Sequence, residues 1–273
     1  MSEAFRARYG PWALVAGASE GLGAAFAEEL AARGVHLLLI ARRPGPLEAL
    51  AGRLRDRVGI EVRTASLDLG GPGLDDAVRA LTRGLTVGLV VYNAADSFVG
   101  EFLDRPLGEH LRTVDVNCRG PVVLAHVLGK EMAARGRGGI VLVSSMAGFQ
   151  GSALVATYAA TKGFDTVLAE GLWDELRGRG VDVLACCAGA TRTPGYEASQ
   201  PRGGVRPMAP AAVAADALAA LGRGPTTIPG MTNRVARLVM RHLMPRRVAV
   251  RIMGTTTRRM YGLAVKKMTP AGS

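Results

Sequence analysis

The chain has 273 residues, 48% hydrophobic and 21% charged, enough to bury one sizeable core or at most two small ones, which excludes an intrinsically disordered chain. The formal net charge is +11, yet residues 1–216 hold all 23 acidic residues and 23 of the 34 Lys and Arg, so the excess lies wholly in residues 217–273, which contain no acid. Cys118, Cys186, Cys187 and four scattered histidines give neither a disulfide framework nor metal-ligand spacing, and MSEAFRARYGPW lacks the apolar centre of a leader peptide, so a cytoplasmic protein without a metal is expected.

From residue 12 to about residue 230, short apolar runs alternate with stretches of helical period. That is the pattern of successive βαβ units, and it predicts an α/β fold: a doubly wound parallel sheet of about seven strands with helices on both faces. Strands are expected at 12–16, 36–41, 61–66, 87–92, 139–144, 182–187 and, weakly, 226–229. The near-continuous apolar runs LTVGLVVY and GGIVLVSS suit central strands covered on both faces. Residues 193–210, rich in Pro, Gly and Ser, read as a long loop that meets the substrate.

The first strand runs directly into Gly17-Ala18-Ser19-Glu20-Gly21-Leu22-Gly23, and helical period follows from Ala24 to Arg33. Gly17, Gly21 and Gly23 allow a sharp turn and close approach of the backbone to a pyrophosphate, whose charge the N–H groups at the helix start stabilise. The alternative is a tight turn and nothing more. An acidic residue at the end of the second strand would select NAD by bonding its ribose hydroxyl. Here the strand ends in Arg42 and Arg43, two guanidinium groups suited to the extra phosphate of NADP(H), unless they are simply solvated; Glu20 is a contrary sign.

After the fifth strand come Ser144 and Ser145, and thirteen residues beyond Ser145 lies Tyr158-Ala159-Ala160-Thr161-Lys162, at the start of a helix expected to run to about Leu176. The i, i+4 spacing puts Tyr158 and Lys162 on one helix face. A phenol works as a proton donor and acceptor at neutral pH only when its phenolate is stabilised by about 4 kcal/mol, and a neighbouring ammonium supplies much of that. A serine hydroxyl at the strand end can hold the substrate oxygen as charge develops on it. Alone, a Tyr and Lys at this spacing are a common surface pair.

Taken together, in this order and over most of the chain from Leu14 to about Thr193, these residues resemble the short-chain dehydrogenase/reductase family. The family's glycine motif stands here with Ala16 in place of its usual Thr. Asp68-Leu69 matches the pair that contacts adenine. Asn93 and Ala94 match the motif after the fourth strand, whereas Tyr92 and Ala95 depart from it. The resemblance implies a catalytic tetrad: Tyr158 as acid/base, Ser145 polarising the carbonyl, Lys162 binding the nicotinamide ribose and tuning Tyr158, and Asn117 holding a water in the proton relay. Without that context Asn117 reads as a satisfied core amide. Beyond the sixth strand Gly189, Thr191 and Thr193 would meet the nicotinamide, with Ala188 where the family has proline.

The expected organisation is a dinucleotide-binding and catalytic domain over residues 1–230 and a basic helical extension, not an independent domain, over 231–273. Arg234, Arg237 and Arg241 form one stripe of a helix opposite Val235, Leu238, Val239 and Leu243, and a second basic run follows through Lys266 and Lys267. The favoured reading caps the sheet or a subunit contact with the apolar face and leaves the arginines solvated. Contact with an anionic membrane is a weaker alternative, and nucleic-acid binding is not expected, since only Tyr261 interleaves the charges. The resulting expectation is an NADP(H)-dependent oxidoreductase acting on a small carbonyl or alcohol substrate of hydrophobic character, as a homodimer or homotetramer. Its substrate would lie near Phe149, Leu154, Val155 and Tyr196. The alternative is a non-catalytic NADP(H)-binding sensor or scaffold.

Overall fold

The computed structural model describes residues 2–198 and 206–261. Seven parallel strands, β1 (Trp12–Ala16), β2 (His36–Ala41), β3 (Val62–Ser66), β4 (Val87–Tyr92), β5 (Gly138–Ser145), β6 (Val181–Ala188) and β7 (Thr226–Thr227), form one sheet in the order β3-β2-β1-β4-β5-β6-β7. The helices in chain order are α1 (Ser2–Tyr9), α2 (Gly21–Ala31), α3 (Pro44–Val58), α4 (Leu74–Thr82), α5 (Leu107–Val114), α6 (Gly120–Arg135), α7 (Ala156–Arg177), α8 (Pro194–Ala198), α9 (Pro210–Ala220), α10 (Met231–His242) and α11 (Arg246–Met260).

Every residue of β1 and β4 is buried, as their unbroken apolar runs require. Val15, Leu37, Leu39 and Leu184 pack against α2, α3 and α9 on one face, while Leu14, Leu38, Val90 and Leu142 pack against α4, α6 and α7 on the other. The strand order reverses between β1 and β4, which opens a crevice at their carboxyl ends. Backbone bonds tie that edge together: Gly17 N donates to Ile40 O (2.7 Å), and Asn93 N and Ala94 N both donate to Ala16 O (2.9 Å each).

The elements differ from the sequence expectation mainly at their ends. α2 begins at Gly21, not Ala24, so the last two loop glycines form its first turn. β5 and β6 are each longer by one residue at both ends because they pair with each other from Gly138↔Val181 to Ser145↔Ala188. β7 stops after two residues; Pro229, with no N–H to donate, stands just beyond it. Helix α1 is not foreshadowed by the sequence pattern, and it is held from outside, through a Tyr9 hydroxyl that donates to Asp182 (2.7 Å). Within the expected loop 193–210, α8 follows Thr193 directly and Met208 bridges back to Thr191; residues 199–205 lie outside the described residues.

In the extension the apolar face does not cap the sheet, one of the two places expected for it. Helix α10 turns Val235 and Leu238 outward, 51% and 60% exposed, with Leu243 just beyond it at 75%, and buries Asn233 instead. Polar anchoring explains the orientation. Asn233 Nδ2 donates to Pro229 O (2.8 Å) and the Arg237 guanidinium lies 3.7 Å from the centroid of the Phe149 ring. Helix α11 packs on the segment after Ser145, where the buried Ser152 and Thr257 hydroxyls meet at 2.8 Å and Arg246 donates to Phe149 O (2.7 Å). Lys266 and Lys267 lie outside the described residues.

Candidate active site

The glycine turn is built for a close neighbour. Gly17 has φ +81°, and a Cβ there would come within 2.6 Å of the Ala94 backbone; one on Gly23 would lie 2.0 Å from Gly17 O. Asn93 Nδ2 donates to that same Gly17 oxygen (2.9 Å), so Asn93 fixes the turn from beneath. Gly21, at φ +60°, faces Thr193, whose Cβ would be 3.0 Å from an added Cβ. The loop after β6 therefore reaches the glycine turn. No side chain caps the amino terminus of α2, and no acid lies in its first turn. With Ser19, Leu22 and Ala95 beside it, this cradle fits the anionic pyrophosphate of a dinucleotide.

At the end of β2 the two arginines part company. Arg43 forms an ion pair with Glu20 (2.7 Å), which accounts for the contrary sign in the loop, whereas Arg42 has no ion pair among the described residues. Asp68, expected to contact adenine, is held by Arg112 on α5 through two bonds (3.0 and 3.2 Å) and accepts from Gly70 N (3.0 Å). The Arg112 hydrogen bonds hold its carboxyl below the usual carboxylate range despite some burial. Leu69 is buried in the core beside it.

Strand alternation separates the two serines at the end of β5. Ser144 points into α7, where its hydroxyl donates to Lys162 O (2.6 Å) and meets Thr166 (2.8 Å). Ser145 instead heads the turn Met146–Phe149, its Oγ accepting from Ala147 N (3.2 Å). That turn presses on α7 so closely that a Cβ on Gly148 would lie 2.5 Å from the Lys162 carbonyl carbon. Tyr158 and Lys162 both stand on α7, with the ammonium 5.9 Å from the centroid of the Tyr158 ring.

Lys162 is buried at 3% exposure and donates to Val143 O (2.7 Å) and to Asp165 (2.9 Å), which is itself 2% exposed. Burial alone would pull the ammonium's pKa down, but the charge of Asp165, assisted by Tyr158, outweighs it and holds the pKa above the ordinary lysine value. On Asp165 burial wins, and its carboxyl is pushed up in spite of Lys162; its second oxygen, Oδ1, has no hydrogen-bond partner among the described residues. Asp165 was within reach of sequence reasoning, since i, i+3 is a helix-face spacing from Lys162.

Asn117 lies in a π-helical turn, Asp115–Arg119, between α5 and α6, and not in a regular helix. Its amide accepts from Asp96 N (2.7 Å) and donates to Asp96 O (2.9 Å) and to Thr161 Oγ1 (3.0 Å). Thr161 in turn donates to Tyr158 O (2.8 Å), so Asn117 is tied to the helix that carries Tyr158 and Lys162. Tyr92, where the resemblance departs from the family, donates to Val116 O (2.5 Å) and supports the same turn. Asn117→Ala strands both polar groups of Asp96, and is expected to lower the unfolding free energy by about 3 kcal/mol in chemical denaturation.

Beyond β6, Gly189 backs directly onto Asn233, and Thr191 donates to Gly189 O (3.0 Å). Phe149, expected near the substrate, has its ring stacked under Arg237 of the extension. Leu154 is buried with φ +69°, and Val155 and Tyr196 are half-buried. The residues that sequence reasoning missed, Asp96, Arg112, Thr161, Asp165 and Asn233, all act by holding another residue in place.

Residues 11–202 match the family described as short chain dehydrogenase. A 7beta-hydroxysteroid dehydrogenase of Collinsella aerofaciens is 35% identical over 198 residues, 72% of this chain and 75% of that one. A solved structure described as giving structural and biochemical insights into 7beta-hydroxysteroid dehydrogenase stereoselectivity superposes with a TM-score of 0.87 at 31% identity, covering 91% of this chain and 98% of that one. A short-chain dehydrogenase from Sphingobium yanoikuyae in complex with NADPH superposes with a TM-score of 0.76 at 30% identity, covering 86% and 96%.

Proposed function

The chain belongs to the short-chain dehydrogenase family, an oxidoreductase acting on hydroxyl and carbonyl groups, and on that premise we propose that it uses NADP(H) on a hydrophobic carbonyl or secondary alcohol with Tyr158 as acid/base. The observation that carries this reading is Tyr158 and Lys162 on one face of α7, with Lys162 buried and its ammonium 5.9 Å from the Tyr158 ring centroid. The bound dinucleotide supplies or accepts the hydride at its nicotinamide. Tyr158 gives its hydroxyl proton to the substrate oxygen during reduction and takes it back during oxidation. Ser145 donates to that oxygen as charge grows on it, and Lys162 stabilises negative charge on the Tyr158 oxygen while binding the ribose. Asn117 and Asp165 hold α7 and the ammonium in position.

Arg42 is the proposed ligand of the phosphate that distinguishes NADP(H) from NAD(H), a role supported by the absence of any ion-paired carboxylate on it among the described residues. The first test is oxidation of NADPH and of NADH at 340 nm over a panel of apolar ketones. Turnover with NADPH is expected, and Arg42→Ala should raise the KM for NADPH about 10- to 100-fold while changing that for NADH little. Equal use of both cofactors by the parent chain would overturn the NADP(H) assignment, and tight NADPH binding with no turnover on any substrate would favour a sensor. The apolar character of the substrate is supported by the steroid dehydrogenase among the relatives. Leu103, Leu107, Leu111 and Val167, exposed around α5 and α7, are the proposed contact with a second copy, which sedimentation velocity would detect as a dimer.

A further inference from the structure

Helix α10 presents to solvent the face that a surface helix ordinarily buries. Met231, Val235 and Leu238 stand 69%, 51% and 60% exposed in one stripe, and Leu243 extends it at 75%. Their spacing of four, then three, residues keeps them in line, while Asn233, Arg237 and Met240 occupy the inward side. Helix α11 also exposes Val248 and Ile252, next in sequence to Arg247 and Arg251. Arginines flank the stripe throughout: Arg234 and Arg241 each lie three or four residues from Leu238, on its neighbouring edge.

From that edge, at Arg241, a cleft of about 280 Å³ runs toward the inward side of α10, lined by Arg237, Arg241 and Arg246 together with Phe149, Met240 and Met244. No carboxylate lines it, and among the described residues none forms an ion pair with these three arginines. Three guanidinium groups gathered without a counter-charge, beside an exposed apolar stripe, call for an occupant that is anionic at one level and apolar at the next.

We propose that the α10–α11 face docks this protein on an anionic lipid bilayer, with Met231, Val235, Leu238 and Leu243 entering the interface and the arginine cleft receiving lipid headgroup phosphate. A second copy does not suit the surface. A twofold contact through this face would bring to Arg234 and Arg241 only residues of the same face, and residues 217–273 offer no acid to pair with them. The apolar surface around α5 is different in kind, since there Arg105 pairs with Glu109 and Arg112 with Asp68. A bilayer meets both demands of the α10–α11 face at once, apolar contact below the headgroups and attraction of each arginine to anionic lipid at their level.

Flotation of the full chain with vesicles tests this. With phosphatidylcholine containing about a quarter phosphatidylglycerol at low salt, the protein is expected to float with the lipid, and with phosphatidylcholine alone to stay behind. Salt near 0.5 M should weaken the binding strongly. Val235→Ser combined with Leu238→Ser, at exposed positions away from the proposed catalytic residues, should reduce binding at least about tenfold with Tm and NADPH oxidation unchanged. The proposal is overturned by absence of binding to anionic vesicles at low salt, by equal binding to neutral ones, or by a double variant that binds as well as the parent. A double variant that sediments as a smaller species would instead make a second copy the occupant.

Discussion

Tyr158→Phe is expected to lower kcat by about 10³-fold while leaving the Kd for NADPH within about threefold of the parent value. The substitution deletes one hydroxyl and keeps the ring that stands 5.9 Å from the Lys162 ammonium, so packing on α7 is preserved and the proton is lost. Stopped-flow reduction of an apolar ketone, with NADPH affinity measured separately by fluorescence, separates the two quantities. A variant that turns over within tenfold of the parent would remove Tyr158 from the acid/base role, leaving the fold and cofactor assignments standing. Loss of NADPH binding together with turnover would mean that the hydroxyl positions the cofactor rather than moving a proton.

Asp165→Asn should affect both stability and rate. It removes the one carboxylate bonded, among the described residues, to a lysine that is 3% exposed, leaving a buried ammonium with only neutral acceptors, Val143 O and the new amide oxygen. Breaking a buried pair from one side costs about 3 kcal/mol or more, because the surviving charge has no compensation. Unfolding in urea measures that loss. With its counter-charge gone, Lys162 gives up its proton at lower pH, since burial is no longer outweighed by Asp165. The raised lysine pKa of the parent gives stability present at neutral pH and lost as pH rises through the folded value; in the variant burial depresses that pKa, so the contribution changes sign and stability instead rises as pH passes the folded value. The alkaline limb of kcat/KM should therefore move to lower pH, a change that a purely structural role would not produce. An unchanged pH profile would remove Asp165 from the positioning of Lys162.

Much of the candidate site is legible as linear spacing. A strand followed by Gly17 to Gly23, Arg42 at the end of the second strand and Tyr158 four residues before Lys162 are patterns that a helix or a strand turns directly into geometry. The same holds for the sheet, whose buried strands read as unbroken apolar runs and whose seven members form in the expected places. The residues that support the site are not legible in this way. Asp68 and Arg112 are 44 positions apart, as are Asn117 and Thr161, and nothing local marks either pair. Ser144 and Ser145 are equivalent in sequence, and only the direction of the strand against α7 decides which of them faces the turn.

The sequence by itself determined the α/β class, the order of the strands along the chain, the glycine cradle and the Tyr158–Lys162 pair, because each rests on interactions between near neighbours or on a repeating burial pattern. Tertiary structure decided the pairing of Arg43 with Glu20 that singles out Arg42, the buried partner of Lys162 and the direction in which α10 faces. The amphipathic period of α10 was visible from the start, but period gives only the existence of two faces. Which of them turns inward depends on what the rest of the molecule offers, and here Pro229 O and the Phe149 ring claim Asn233 and Arg237 and leave the apolar stripe outside.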